Sequence, residues 1–94
     1  MARFARLTRR IRRLAAQGRY ALTPYTEVRK GIREIEDQEL LAVLTRGKVV
    51  EVYPARGRVR LRGAVRSGEF LNVVVEFDAA SEILIVVSTY FEEC

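Results

Sequence analysis

Arg58-Val59-Arg60-Leu61-Arg62-Gly63-Ala64-Val65-Arg66 is the stretch on which the reading of the fold turns. Val59, Leu61 and Val65 alternate with Arg58, Arg60, Arg62 and Arg66, which is the period of a strand with one apolar and one charged face. Upstream, Phe4, Leu7, Ile11 and Leu14 recur at three- and four-residue spacing, the period of a helix. The period changes at Lys48. Helices are therefore expected over about residues 3–46 and a sheet over about 48–91.

Working outward, Gly18 suits the left-handed end of the first helix, and Arg19 to Leu22 reads as a short extended piece. Thr23 is a good N-cap with Pro24 at the first helical position, and Val28, Ile32 and Ile35 are expected to face inward, although Gly31 weakens this second helix. A third helix starts near Glu36-Asp37, with Ile35 stapled against Leu40. Leu40, Leu41, Val43 and Leu44 supply its buried face and Gly47 ends it. Val49 to Tyr53 form a strand stopped by Pro54, and Ser67-Gly68 makes a hairpin turn after the arginine strand. Phe70 to Phe77 is a strand and Asp78 to Ser81 a turn. The apolar run Ile83 to Val87 reads as a strand covered on both faces. Gly57, Gly63 and Gly68 are turn or bulge glycines. The expected fold class is α+β: two to three N-terminal helices, then a four-stranded, mainly antiparallel sheet, in one domain spanning residues 1–94.

Ninety-four residues with 49% hydrophobic content suit a single core. There is no histidine, and the one cysteine is Cys94, beside Glu92 and Glu93. That removes the commonest general base, the commonest metal ligand and every Cys/His zinc pattern, and it leaves no intramolecular disulfide. Glu27, Glu34, Glu36, Asp37 and Glu39 read as helix-surface charge, so neither a metal nor a cofactor is expected. No apolar run reaches the roughly 20 residues a bilayer requires. The N-terminus also lacks the apolar core of a secretory signal, which points to the cytoplasm and away from membranes.

Net charge is +5, and its distribution says more than its size. Arg3 to Arg19 holds seven arginines and no acid; Val52 to Gly68 holds five more and again no acid. Glu69 onward carries only acidic charges. In the arginine strand, Arg58, Arg60, Arg62 and Arg66 are expected on one face, about 6–7 Å apart along the chain, which matches the interval between phosphates of an extended nucleic-acid strand. The bland reading is a solvated face whose Arg stems cover the sheet. Against it stand the lack of local acids and the mutual repulsion of like charges in line. The first helix invites solvation, anionic-membrane or polyanion readings, and nucleic acid or an acidic protein is preferred because the apolar stripe is also what a core requires. Tyr20, Tyr25, Tyr53 and Tyr90 are each more simply half-buried tyrosines than stacking platforms.

The order of elements has a family likeness. Leu22-Thr23-Pro24-Tyr25, then Arg29, Arg33 and Ile35, then Leu44, Gly47 and Val49-Val50-Glu51-Val52-Tyr53-Pro54, resemble a family of small bacterial and archaeal domains of unknown function. Its pattern is T-x-H-x-x-x-R-x-x-x-R-x-I, a helix ending in L-x-x-G, the strand V-[IV]-E-x-Y-P and a closing V-x-T-x-Y region, to which Ser88-Thr89-Tyr90 corresponds. That family is similar to RelE/BrnT-like toxins, often encoded beside zinc-finger antitoxins of the MqsA/YgiT type. The resemblance implies a metal-independent endoribonuclease, with RNA and a cognate antitoxin as partners. It implies catalytic roles for Arg29, Arg33, Tyr90 and Tyr25, the last standing where the family has its histidine. Arg58, Arg60, Arg62 and Arg66 would bind phosphate. An attacking 2′-hydroxyl needs a proton acceptor, the phosphorane needs positive charge and the leaving oxygen needs a proton. The alternative is a non-catalytic module that binds nucleic acid or protein through a degenerate site. A structural subunit forming a homodimer through a sheet edge or the first helix has no residue signal of its own.

Overall fold

The first helix, α1 (Ala5–Ala16), buries Ile11, Leu14 and Ala15, with Phe4 and Leu7 packed against the same core. It ends as its glycine predicts. Gly18 is left-handed (φ +73°), with Gly18 N–H on Ala15 O and Arg19 N–H on Leu14 O, both at 2.9 Å, the paired bonds of a Schellman motif. The computed structural model describes residues 4–92, apart from the side chain of Ser67, so Arg3, Glu93 and Cys94 lie outside the described residues.

The chain then forms β1 (Tyr20–Leu22), which pairs in parallel with β5 (Ile83–Phe91) through the Leu84–Val86 stretch. This corrects the expected strand count. Joined by β2 (Lys48–Tyr53), β3 (Arg58–Ala64) and β4 (Phe70–Asp78), the sheet has five strands in the order β1-β5-β4-β3-β2 and is mixed, not purely antiparallel. Three residues are too short to show a period of two, and β1 is a strand only because β5 offers it an edge. The α+β class stands, with three helices.

The second helix, α2 (Pro24–Ile32), starts as expected, with Thr23 Oγ1 accepting from Thr26 N–H at 3.1 Å. Its orientation does not follow the apolar pattern. Val28 and Ile32 are 62% and 66% exposed, while Thr26 is fully buried and Ile35, beyond the helix, is in the core. The reason is position. Past the end of β1 the edge of β5 has no strand beside it, and α2 covers that edge. Thr23 N–H (3.3 Å) and Thr26 Oγ1 (3.0 Å) both donate to Val86 O, and Arg33 Nη1 donates to Thr89 O at 2.7 Å. Open carbonyls need donors, so the polar side of α2 turns inward.

The third helix, α3 (Asp37–Arg46), opens with Glu39 Oε1 accepting from Glu36 N–H at 2.9 Å, half of a capping box. Leu40, Val43 and Leu44 are buried as predicted, whereas Leu41 is exposed. Helices α1 and α3 cover one face of the sheet, over Val49, Val59, Leu61, Leu71, Val73, Val75, Leu84 and Val86. The run Ile83 to Val87 is fully covered on that face only, since Ile83, Ile85 and Val87 stay half-buried on the other. The turn after β3 is a short 3-10 segment, Arg66–Gly68, not a two-residue hairpin.

Two register shifts decide what the uncovered face carries. In β2, Val49 opposes Leu61 but Glu51 opposes Arg60, so Val50 is an extra residue. In β5, Val86 opposes Val75 but Ser88 opposes Val74, so Val87 is extra. An extra residue inverts the alternation beyond it. Glu51, Tyr53 and Tyr90 are thereby moved to the uncovered face, beside Arg58, Arg60, Arg62 and Asn72, while Thr89 is taken into the interior.

Candidate functional site

The arginine strand behaves as predicted for three of its four cations. Arg58, Arg60 and Arg62 alternate on the uncovered face of β3. Arg66 does not join the row, because β3 stops at Ala64 and Arg66 bends to α3, pairing with Glu39 (Nε–Oε2 2.6 Å) and donating to Glu34 O.

The segment's lack of acids is made good by other strands. Arg58 Nε meets Glu76 Oε1 of β4 at 3.1 Å, and Arg60 Nη2 meets Glu51 Oε1 of β2 at 3.1 Å. Arg62 holds Glu92 with both nitrogens of its fork, at 2.9 and 2.8 Å, and stacks 3.7 Å over the Phe70 ring. Arg60 Nη1 also donates to Asn72 Oδ1, and Tyr53 Oη donates to Glu51 Oε1 at 2.9 Å. The row of like charges is thus stabilised by cross-strand carboxylates, which the sequence-local charge count could not register.

These contacts set the ionisation of the face. Hydrogen bonds from Tyr53 and then Arg60 hold the Glu51 carboxyl below its ordinary value, and the Arg62 fork does the same for Glu92. Burial, reinforced by the bond to Glu51, pushes the Tyr53 phenol up, so it stays protonated at neutral pH. A carboxyl lowered in the folded state contributes stability above its unfolded value of about 4.5 and loses it as pH falls through the folded value. Melting temperature is therefore expected to fall on acidification below about pH 4.5, and to fall less in a Glu51→Gln/Glu92→Gln variant. Identical acid profiles for the two proteins would contradict this assignment.

An open cleft of about 770 Å³ lies against this network, lined by Arg33, Arg60, Asn72, Tyr90, Phe91 and Glu92. Helix α2 supplies Arg33 from its C-terminal end, the centre of the sheet supplies Arg60 and Asn72, and β5 supplies Tyr90 opposite Asn72. Arg33 is the cation of this cleft that has no carboxylate partner among the described residues. One of its nitrogens is fixed on Thr89 O, which orients the rest of the fork.

Of the residues singled out from the sequence, the cleft unites Arg33, Arg60 and Tyr90, with Arg62 beside it through Glu92. Tyr25 is 63% exposed and does not line it; the Arg29 guanidinium lies 5.8 Å from the Tyr25 ring centre, and Arg29 Nε is buried without a hydrogen bond. Arg58 belongs to a separate hollow of about 320 Å³ with Tyr53, Arg56 and Ser88. Sequence reasoning missed Asn72, Glu51 and Glu92 as members of the face. Asn72 had a signal, a lone amide in the apolar run Phe70 to Val75, and it is 1% exposed.

No curated protein and no solved structure matches the chain, RelE- and BrnT-type toxins included. A family profile described as a domain of unknown function (DUF4258) matches residues 29–91, which takes in Arg29, Arg33, all of β2 to β5 and every lining residue of the cleft except Glu92. With that match across most of its length, the chain belongs to the DUF4258 family.

Proposed function

We propose that the protein is a toxin of the RelE/BrnT-like kind that cleaves RNA in the cleft without a metal ion. The observation that carries this reading is the convergence of Arg33, Arg60 and Tyr90, from three separate elements, on one open hollow of the uncovered face. In the proposed reaction the 2′-hydroxyl attacks the adjacent phosphorus, forming the P–O2′ bond and breaking P–O5′. The products are a 2′,3′-cyclic phosphate and a 5′-hydroxyl. Arg33 and Arg60 hold the phosphate oxygens and offset the charge that grows on them. Glu92, kept ionised by Arg62, accepts the 2′-hydroxyl proton. The Tyr90 hydroxyl donates a proton to the leaving 5′-oxygen. Cytoplasmic location and a cognate antitoxin belong to the same reading. The apolar stripe Tyr25, Val28 and Ile32 on the outside of α2 supports a protein partner. Among the described residues, no helix is long and apolar enough to cross a membrane.

One observation favours a second reading, a non-catalytic binding module: the fork of Arg60 is already engaged by Glu51 and Asn72. Incubating the protein with RNA in the presence of a chelator separates the two. Cleavage with cyclic-phosphate ends, reduced at least about tenfold by Tyr90→Phe, is expected for the toxin reading. RNA that is bound and left intact would sink it in favour of the module.

A further inference from the structure

Helix α1 carries Arg6, Arg9, Arg10 and Arg13 on the side turned away from the core, and all four are exposed. At 3.6 residues per turn they fall within about 100° of arc, centred about 120° round the helix from Leu7, Ile11 and Leu14. Arg10 lies 4.9 Å over the Phe77 ring. Arg6, Arg9 and Arg13 form no ion pair and no hydrogen bond among the described residues, in contrast to Arg58, Arg60, Arg62 and Arg66, which each hold a carboxylate. Arg12, on the flank, is used internally, donating to Gly47 O at 3.0 and 2.8 Å and to Arg46 O at 2.9 Å. Among the described residues α1 therefore carries a cluster of positive charge that no carboxylate offsets, on the layer opposite the cleft.

We propose that the ridge of Arg6, Arg9, Arg10 and Arg13 is a docking surface for the phosphate backbone of a nucleic-acid duplex. This surface acts whether or not the cleft cleaves RNA. Its chemistry selects the occupant. A membrane needs apolar anchors, and those of α1 are spent in the core. A protein interface needs an apolar or aromatic centre, and a single strand needs rings on which bases stack. Beyond the arginines, the exposed part of α1 offers Ala16 alone. What remains is a ridge of arginines whose backbone rises about 10 Å from Arg6 to Arg13, comparable with the axial rise of three phosphates of one strand. Such contacts neutralise backbone charge and read no base.

The test is fluorescence anisotropy of a labelled short RNA duplex over a salt series. The Arg6→Gln/Arg9→Gln/Arg13→Gln variant is expected to bind at least about tenfold more weakly at low salt, and its log–log salt slope to shrink by about 2–3. A charge-matched control, Arg46→Gln/Lys48→Gln/Arg56→Gln, should keep the slope within about one unit. Thermal melts check folding. If the glutamine variant melts early, the Arg6→Lys/Arg9→Lys/Arg13→Lys protein decides, since it keeps the charges and should keep the slope. An unchanged slope in the ridge variant would overturn the proposal. So would an equal loss in the charge control, or tighter binding to the single strand or to phosphatidylserine vesicles.

Discussion

Replacing Arg33 with alanine is expected, on the proposed reading of the cleft, to lower RNA cleavage by about a hundred- to thousandfold, the loss found when one donor to a developing oxyanion is removed. Two features put Arg33 above the other arginines. Among the described residues it is the cation of the cleft without a carboxylate partner, so its charge is available to a phosphate. Its bond to Thr89 O fixes the guanidinium before any ligand arrives, which lowers the ordering cost of binding. Arg33→Lys should recover part of the activity, because charge returns while the planar fork does not. The edge of β5 loses one partially exposed bond in the alanine variant, so melting should shift by only a few degrees. Tyr25→Phe should leave cleavage within a few-fold of the parent, since that residue lies outside the cleft. Initial rates on one RNA substrate check all three. Full activity in Arg33→Ala would remove the cleft from the mechanism.

The largest effect on stability from one added methyl group is expected at Gly47. Its backbone is extended (φ −71°, ψ 178°), so glycine is not required there for its torsion angles. It is required for space. A Cβ would stand 2.6 Å from Val43 O and 3.0 Å from Arg62 O, both backbone atoms that cannot swing aside. The junction of α3 and β2 would have to move off β3. The Arg12 fork on Gly47 O would be strained with it. A cost of about 2–3 kcal/mol follows for overpacking of this kind, or a melting temperature lower by about 8–20 °C in a domain of this size. Gly63, on the facing strand, makes the comparison. Its added Cβ meets Val43 Cγ2 at 3.2 Å, a side-chain atom with some freedom to give. Gly63→Ala should therefore cost clearly less than Gly47→Ala. Equal losses would show that backbone crowding is not the reason for Gly47.

That pair of glycines shows where sequence reading stops. Gly47 was legible as the end of a helix and Gly63 as a turn or bulge glycine. Yet Gly63 lies within β3, and both are glycine because Val43 and the two backbones come close at that corner. The candidate site divides in the same way. The alternation of Arg58, Arg60 and Arg62 was plain, whereas Arg33 and Tyr90 were named only through the family resemblance. Their acidic partners Glu51, Glu76 and Glu92 come from strands before and after, so a count along the segment showed excess charge where the folded sheet has pairs. The better-compensated stretch proves to be the strand, and the uncompensated one the first helix, the reverse of what period two alone suggested.

By itself the sequence determined what depends on near neighbours. The helical period of α1, the Gly18 and Thr23 caps, the start of α3, the strand alternation and most of the core follow from contacts within a few residues. Only the tertiary structure decided what depends on distant partners. A three-residue β1 exists because β5 has an edge to fill. Helix α2 turns its apolar side outward because that edge presents carbonyls. Single extra residues at Val50 and Val87 bring Glu51 and Tyr90 to the arginine face. Register and edge coverage are set by free energies shared between segments far apart in the chain, and no local pattern records them.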